Sequence, residues 1–416
     1  MLILDVNEKP QKKSLWALLS FQHVFAMFGA TVLVPILTGL SISVALFASG
    51  IGTLIYIACT KAKVPVYLGS SFAYIAAISL ASQQFGVESA FVGLMVVGII
   101  YLIVSIIIRF VGKEWLDKLL PPVVIGPMIA IIGIGLAPVA TGQAGINPAH
   151  PDLGFLAADY KNVLIAAITF LVTTIVATKA KGFFKIVPIL GGIVIGYLVA
   201  IAFGIVDFTA INQASWIALP DFKILGTYQL NWGAVLMFAP IAFVTIAEHI
   251  GDHKVLGSIT DRDFLKDPGL DKTLMGDGIA TFVSAALGGP ANTTYGENTG
   301  VVGMTKVASV YVTGGAAVIA IIMSFVGKFS ALISTIPAPV MGGILIILFG
   351  LIAGNGLKVM IQAKVDLTKT RNIIIVASML VIGLGGASFS INEAASLSGM
   401  ALAAIVGIIL NQLIRE

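Results

Sequence analysis

Charge is what this sequence has least of. Asp, Glu, Lys and Arg make up 11% of its 416 residues, where soluble domains carry about 25%. With 58% hydrophobic residues, the chain has too little polar surface to cover a water-soluble globule, so its solvent is a lipid bilayer. Cysteine is nearly absent. The single copy, Cys59, sits in an apolar run, which excludes a disulfide framework within the chain. Histidine is also scarce, at four copies. The run Glu248-His249-Ile250-Gly251-Asp252-His253 lacks the His-Glu-x-x-His order of a zinc site and has no evident third ligand, so no metal is expected. A phosphate-cradling P-loop is missing, which argues against ATP hydrolysis within the chain, and no cofactor is expected. The net charge of +4 does not indicate a nucleic-acid partner, because the basic residues lie in short clusters between apolar runs. A cleavable signal is not expected: Met1 to Pro10 is mixed polar, and the first apolar run is too long for a signal core.

Long apolar runs and glycine are what the sequence has in abundance. The 45 glycines suit close helix packing in lipid. A span needs about 20 mostly apolar residues, and the pattern predicts an all-α polytopic membrane protein of about fourteen spans. Clear runs begin near Leu15, Ser43, Phe91, Val123, Val163, Ile186, Trp232, Val307, Ala338, Ile373 and Leu397. The stretch Val64 to Ala81, and two segments between Leu270 and Met304, are shorter and interrupted by glycine and polar residues. With both termini on the cytoplasmic side, all 24 Lys and Arg residues except Lys161, Lys223 and Lys328 fall in inner loops. A bias this strong follows the positive-inside rule and would collapse if a middle span were missing or extra.

The chain repeats itself. Pro122-Val123-Val124-Ile125-Gly126, leading to Gly135-Leu136-Ala137, resembles Pro339-Val340-Met341-Gly342-Gly343, leading to Gly350-Leu351-Ile352-Ala353. These fall in spans five and twelve by the same count. A repeat of seven spans is odd-numbered, so the halves are inverted, as in many secondary transporters. Spans three and ten then correspond, and both are interrupted: Tyr67-Leu68-Gly69-Ser70-Ser71-Phe72 in one, Asn292-Thr293-Thr294-Tyr295-Gly296-Glu297-Asn298 in the other. Extended backbone at membrane depth is tolerated only inside protein or along a cavity. Matched broken spans are therefore the best pointer to a substrate site, with half-helix N-termini offering free N–H groups.

Acidic residues at depth point the same way. Glu248 ends a long apolar run, Asp252 lies one turn on and shares its face, and Glu297 sits inside broken span ten. A carboxylate there costs several kcal/mol unless neutralised or paired, so it is a functional candidate that can take up a proton. Asp277 is expected at the membrane interface. His23, beside Gln22 in the first run, is expected to make a structural hydrogen bond.

Glu297-Asn298-Thr299-Gly300-Val301-Val302-Gly303-Met304-Thr305-Lys306 resembles the signature of the nucleobase–ascorbate transporter family: Gln/Glu/Pro, Asn, any, Gly, four residues, Thr, then Arg/Lys/Gly. The Gln22-His23 pair, the stretch Phe25 to Pro35, the broken segments and the surroundings of Glu248 resemble it too, across nearly the whole chain and most closely its uracil-carrying branch. The resemblance implies fourteen segments in two inverted seven-span repeats, with spans three and ten broken by short antiparallel strands. It implies a core domain (residues 1–112 and 230–335) and a gate domain (113–229 and 336–416), and a homodimer in a bacterial inner membrane. Glu248 and Glu297 would bind the base, completed by Phe72, Tyr295, Ala30 and the backbone of Gly296. Glu248, Asp252 and Glu297 would couple protons, and His23, Ser71 and Asn298 would support the site. The implied activity is uracil import by proton symport, not an enzymatic reaction; the alternative is xanthine, uric acid or another nucleobase. Two positions depart from the uracil branch: Asp252 stands where that branch has histidine, and Phe349 where it has tyrosine.

Overall fold

In a computed structural model, the structure describes residues 2–146, 160–181, 188–223, 227–392, 395–397 and 399–414. Lys185, Ile186 and Arg415, used in the span and loop-charge readings, lie outside them. The first half contains α1 (Lys13–Thr38), α2 (Ile42–Cys59), β1 (Leu68–Ser70), α3 (Ile75–Phe85), α4 (Val87–Val111), α5 (Glu114–Leu119), α6 (Pro122–Gly135), α7 (Ala137–Gln143), α8 (Tyr160–Lys179), α9 (Pro188–Ala202) and α10 (Thr209–Gln213). The second contains α11 (Trp232–Thr260), α12 (Leu270–Ala286), β2 (Asn292–Thr294), α13 (Gly296–Thr305), α14 (Val310–Ser324), α15 (Gly327–Ser334), α16 (Ala338–Gln362), α17 (Thr370–Leu384), β3 (Phe389–Asn392), β4 (Ala395–Leu397) and α18 (Gly399–Leu413).

Seven of these stretches are long and apolar enough to cross a membrane: α1, α2, α4, α6 with α7, α8, α11 and α16. The helices α9, α14, α17 and α18 are shorter and also apolar. Their ends follow local chemistry. Gly39 stops α1 in the left-handed region at φ 73°, a conformation glycine adopts freely. Asn231 caps α11 by accepting from Ala234 N at 3.2 Å. Pro122 and Pro339 each sit in the first turn of a helix, α6 and α16, where a missing N–H costs nothing.

Two groups of helices emerge. In one, α12 packs on α4 and α2, and α14 on α2 and α1; in the other, α16 packs on α6 and α8, and α17 on α18 and α6. Small residues set the closest approaches. A Cβ added at Gly98 of α4 would lie 2.7 Å from the carbonyl oxygen of Gly278 of α12. Helix α11 touches both groups, meeting α4 on one side and α18 and α6 on the other.

The N-terminal residues run beside the segment joining α13 to α14. Ile3 N donates to Lys306 O (2.7 Å), Ala308 N to Leu4 O (2.9 Å) and Val310 N to Val6 O (2.9 Å), while Ser309 Oγ donates to Glu8 O (2.5 Å). Val6 is fully buried among Tyr56, Val64, Leu68 and Phe264. An ion pair from Arg262 to Asp5 (2.6 Å) holds the outside of this strap. Neither the strap nor the β3–β4 hairpin is signalled by hydropathy, because both depend on pairing rather than on a run.

Candidate functional site

The site begins with a two-stranded crossing. β1 and β2 pair antiparallel, with Leu68 opposite Thr294, Gly69 opposite Thr293 and Ser70 opposite Asn292. Gly, Ser, Thr and Asn are weak helix formers, and their short polar side chains are buried here. After β1 the chain makes one tight turn over Phe72–Tyr74 and enters α3; after β2, Tyr295 leads straight into α13. Two short helices therefore start at the crossing, and the N–H groups of their first turns have no acceptor within the helix. Each helix begins where its strand ends, so both positive dipole ends lie beside the crossing.

Helix α1 locks this crossing. Tyr295 is buried and its hydroxyl donates to Ser70 O (3.0 Å); Thr31 Oγ1 donates to that hydroxyl (3.2 Å); and Ser70 Oγ donates to Thr31 O (3.1 Å). The Tyr295 ring lies over Gly69, where an added Cβ would sit 2.4 Å from it. Ala30, next to Thr31, is buried in one cluster with Tyr67 and Tyr295. Ser71 is buried, and its N–H donates to Ala291 O (2.9 Å).

Helix α11 brings the acids to the crossing. Glu248, Asp252 and Glu297 are half-buried, and Gly296 is exposed. Glu248 lies within electrostatic reach of Asp252, Glu297 and Asp277. Asp252 accepts a 2.6 Å hydrogen bond from Thr294 Oγ1, at the last residue of β2. The half-buried Phe72 meets Phe349 of α16 edge to face, with ring centroids 6.3 Å apart. The region so bounded holds carboxyl groups that accept or donate, amide N–H groups that donate, and an aromatic face. This is a set suited to a flat ring with its own donors and acceptors.

Behind the acids lies a second polar layer. Asp277 is fully buried within the protein, and His249, also fully buried, faces it across the α11–α12 contact with Nδ1 2.7 Å from Oδ2. His253 donates through Nδ1 to His249 O (2.7 Å), so its Nε2 is the acceptor for the Tyr56 hydroxyl. Both histidines are thus engaged in helix-to-helix hydrogen bonding. On the other side, Asn298 Nδ2 donates to His23 O and lies equally close to His23 Nδ1, both at 3.0 Å. That pair ties α13 to α1. Sequence reading misses Thr294, Thr31 and the His249–Asp277 pair as contributors. The aspartate in mid-helix is the one available signal for the pair; the identity of its partner is not encoded along either helix.

Comparisons with known proteins agree with this architecture. The Permease family (Xan_ur_permease) matches residues 14–391. The chain is 48% identical to "Uracil permease" of Bacillus caldolyticus over 412 residues, covering 98% of this chain and 94% of the relative. It is 46% identical to "Uracil permease" of Bacillus subtilis over 417 residues, covering 99% and 95%. The transmembrane domain of the cyanobacterial bicarbonate transporter BicA superimposes with a TM-score of 0.68 at 16% identity, covering 97% of this chain and 99% of that one. At that identity the likeness is one of fold.

Proposed function

The chain belongs to the Permease family and is a multi-pass membrane transporter rather than an enzyme, and we propose that it imports uracil together with protons by alternating access. The observation that carries this reading is the crossing itself: two short helices start from paired strands beside Glu248, Asp252 and Glu297. Uracil presents two N–H donors and two carbonyl acceptors on a flat neutral ring. Glu248 and Glu297 accept from the N–H groups, the amides of Phe72, in the turn leading into α3, and of Gly296, at the start of α13, donate to the carbonyls, and the Phe72 ring covers one face. A site that pairs every polar group rejects analogues, because a mismatch leaves a buried group without a partner.

In this reading the chain has fourteen spans with both termini in the cytoplasm of a bacterium. Residues 1–112 and 230–335 form the core, and residues 113–229 and 336–416 the gate. The two packing groups described above support the division. The Phe72–Phe349 contact, between β1's turn and α16, then lies where core and gate slide past each other. Protonation of a site carboxyl group changes its donor–acceptor pattern and lowers the cost of burying it, which links proton movement to base binding. His23, Ser71 and Asn298 brace the surrounding backbone.

Purified protein in liposomes should accumulate radiolabelled uracil only under an inward proton gradient, and a protonophore should abolish accumulation. Glu248→Gln and Glu297→Gln should each reduce uptake to background. Full uptake by both variants would remove the acids from the site. A purine cargo is the second reading, favoured by Asp252 and by the missing hydroxyl at Phe349. Displacement of bound uracil by xanthine at lower concentration than by uracil itself would establish it.

A further inference from the structure

The paired strands leave a hydrogen-bonding demand that their own ladder cannot meet. In an antiparallel pair, opposed residues alternate between those that exchange N–H···O=C bonds and those whose backbone groups point away. Tyr295 N donates to Tyr67 O (3.1 Å) and Ser71 N to Ala291 O (2.9 Å). The bonded positions are therefore Tyr67–Tyr295, Gly69–Thr293 and Ser71–Ala291. Leu68 and Asn292, each the first residue of its strand, turn their N–H and C=O groups outward. Both residues are buried, so these groups need partners from elsewhere in the protein.

Each finds hydroxyls on the helix flanking its strand. Leu68 N donates to Thr53 Oγ1 (2.9 Å) and Leu68 O accepts from Ser49 Oγ (2.7 Å), both on α2. Asn292 N donates to Thr281 Oγ1 (3.3 Å) and Asn292 O accepts from the same hydroxyl (3.0 Å), on α12. Thr53 gives its own proton to Ser49 O (2.8 Å), so a second hydroxyl serves the strand carbonyl on that side; Thr281 does both. The two threonines are 0% and 1% exposed, and α2 and α12 meet closely between them, with an added Cβ at Gly52 lying 3.2 Å from the Ala280 Cβ.

We infer that Thr53 and Thr281 are a matched pair of positioning residues, one on each side of the crossing, that hold the two strands and so aim the amides of Phe72 and Gly296 at the substrate. Neither touches the substrate. This inference rests on reading the crossing as the substrate site. It assigns function to two residues that carry no charge.

The test replaces each threonine with valine, which keeps the shape and removes the hydroxyl, and with serine, which keeps the hydroxyl. Hydrogen–deuterium exchange is read over residues 67–75 and 291–299 of the purified protein, alongside uracil affinity and the KM and maximal rate of uptake. In Thr53→Val and Thr281→Val, exchange should quicken in both segments, because the strands share one ladder. Uracil affinity should fall about tenfold for a lost net hydrogen bond, and KM should rise with a maximal rate changed less than about threefold. The serine variants should stay near the parent protein. Unchanged exchange and affinity in the valine variants, or serine variants as impaired as valine, would overturn the inference. Faster exchange in a protein that does not bind uracil would leave the clamp standing and sink the cargo. If a valine variant does not fold, Thr→Ala against Thr→Ser at the same position makes the same comparison.

Discussion

Gly296→Ala separates folding from binding at this site. Gly296 opens α13 and is exposed. An added Cβ there meets only Asp252 Oδ1, at 3.9 Å, an ordinary van der Waals contact. Alanine is also the better helix former, by up to about 1 kcal/mol, so the empty protein should be as stable as the parent or slightly more so. The bound state differs. A uracil carbonyl accepting from the Gly296 amide must come within about 2.9 Å of the nitrogen, and a methyl on the adjacent carbon then crowds the ring below the ~3.5–4.0 Å spacing of carbon contacts. Losing that bond and leaving the amide unpaired costs about 1–3 kcal/mol, a weakening of roughly 5- to 150-fold. Thermal denaturation without ligand and equilibrium binding of radiolabelled uracil measure the two effects separately. Affinity within threefold of the parent, with the variant correctly folded, would refute the placement of uracil at this helix end.

Thr294→Val removes the donor to Asp252 and, for a hydrogen bond to a carboxyl group, should weaken uracil binding about tenfold; Thr294→Ser should restore it in the same binding assay. Asp277→Ala leaves a ring nitrogen of the fully buried His249 without its partner and should cost about 1–3 kcal/mol, read as a shorter half-life of the purified protein on heating. An unchanged half-life would show the pair to be energetically idle. Gly98→Val drives a side chain into the Gly278 carbonyl and the Phe282 amide. It should cost at least about 1–3 kcal/mol, lowering the melting temperature and the yield of folded protein. Asp5→Asn breaks an exposed ion pair with Arg262 and should change stability by less than about 1 kcal/mol by the same melting measurement.

What can be read along the chain is what breaks an apolar pattern. Glu248, Asp252 and Glu297 stand out because charge is costly in lipid, and Asn292 to Glu297 stands out because polar, β-prone residues interrupt a span. The structure brings these groups within electrostatic reach of one another. What cannot be read is who faces whom. The burial of Asp277 is one such case, since it depends on α12 lying against α11 and on His249 pointing toward it. Thr53 and Thr281 look like any small polar residues in membrane helices, since their role depends on which backbone groups the strand alternation turns outward. Thr294 is the nearest miss: it lies two residues before Gly296, inside a segment already singled out, yet its partner belongs to another helix.

The strap at the N-terminus sets an order on assembly. Glu8 and Ser309 are 301 residues apart, so at ~5–20 residues per second the first residues made wait roughly 15–60 s for their partners. Leu68 likewise waits for Thr294. A ribosome that stalls midway therefore leaves a membrane-inserted fragment with neither strap nor crossing.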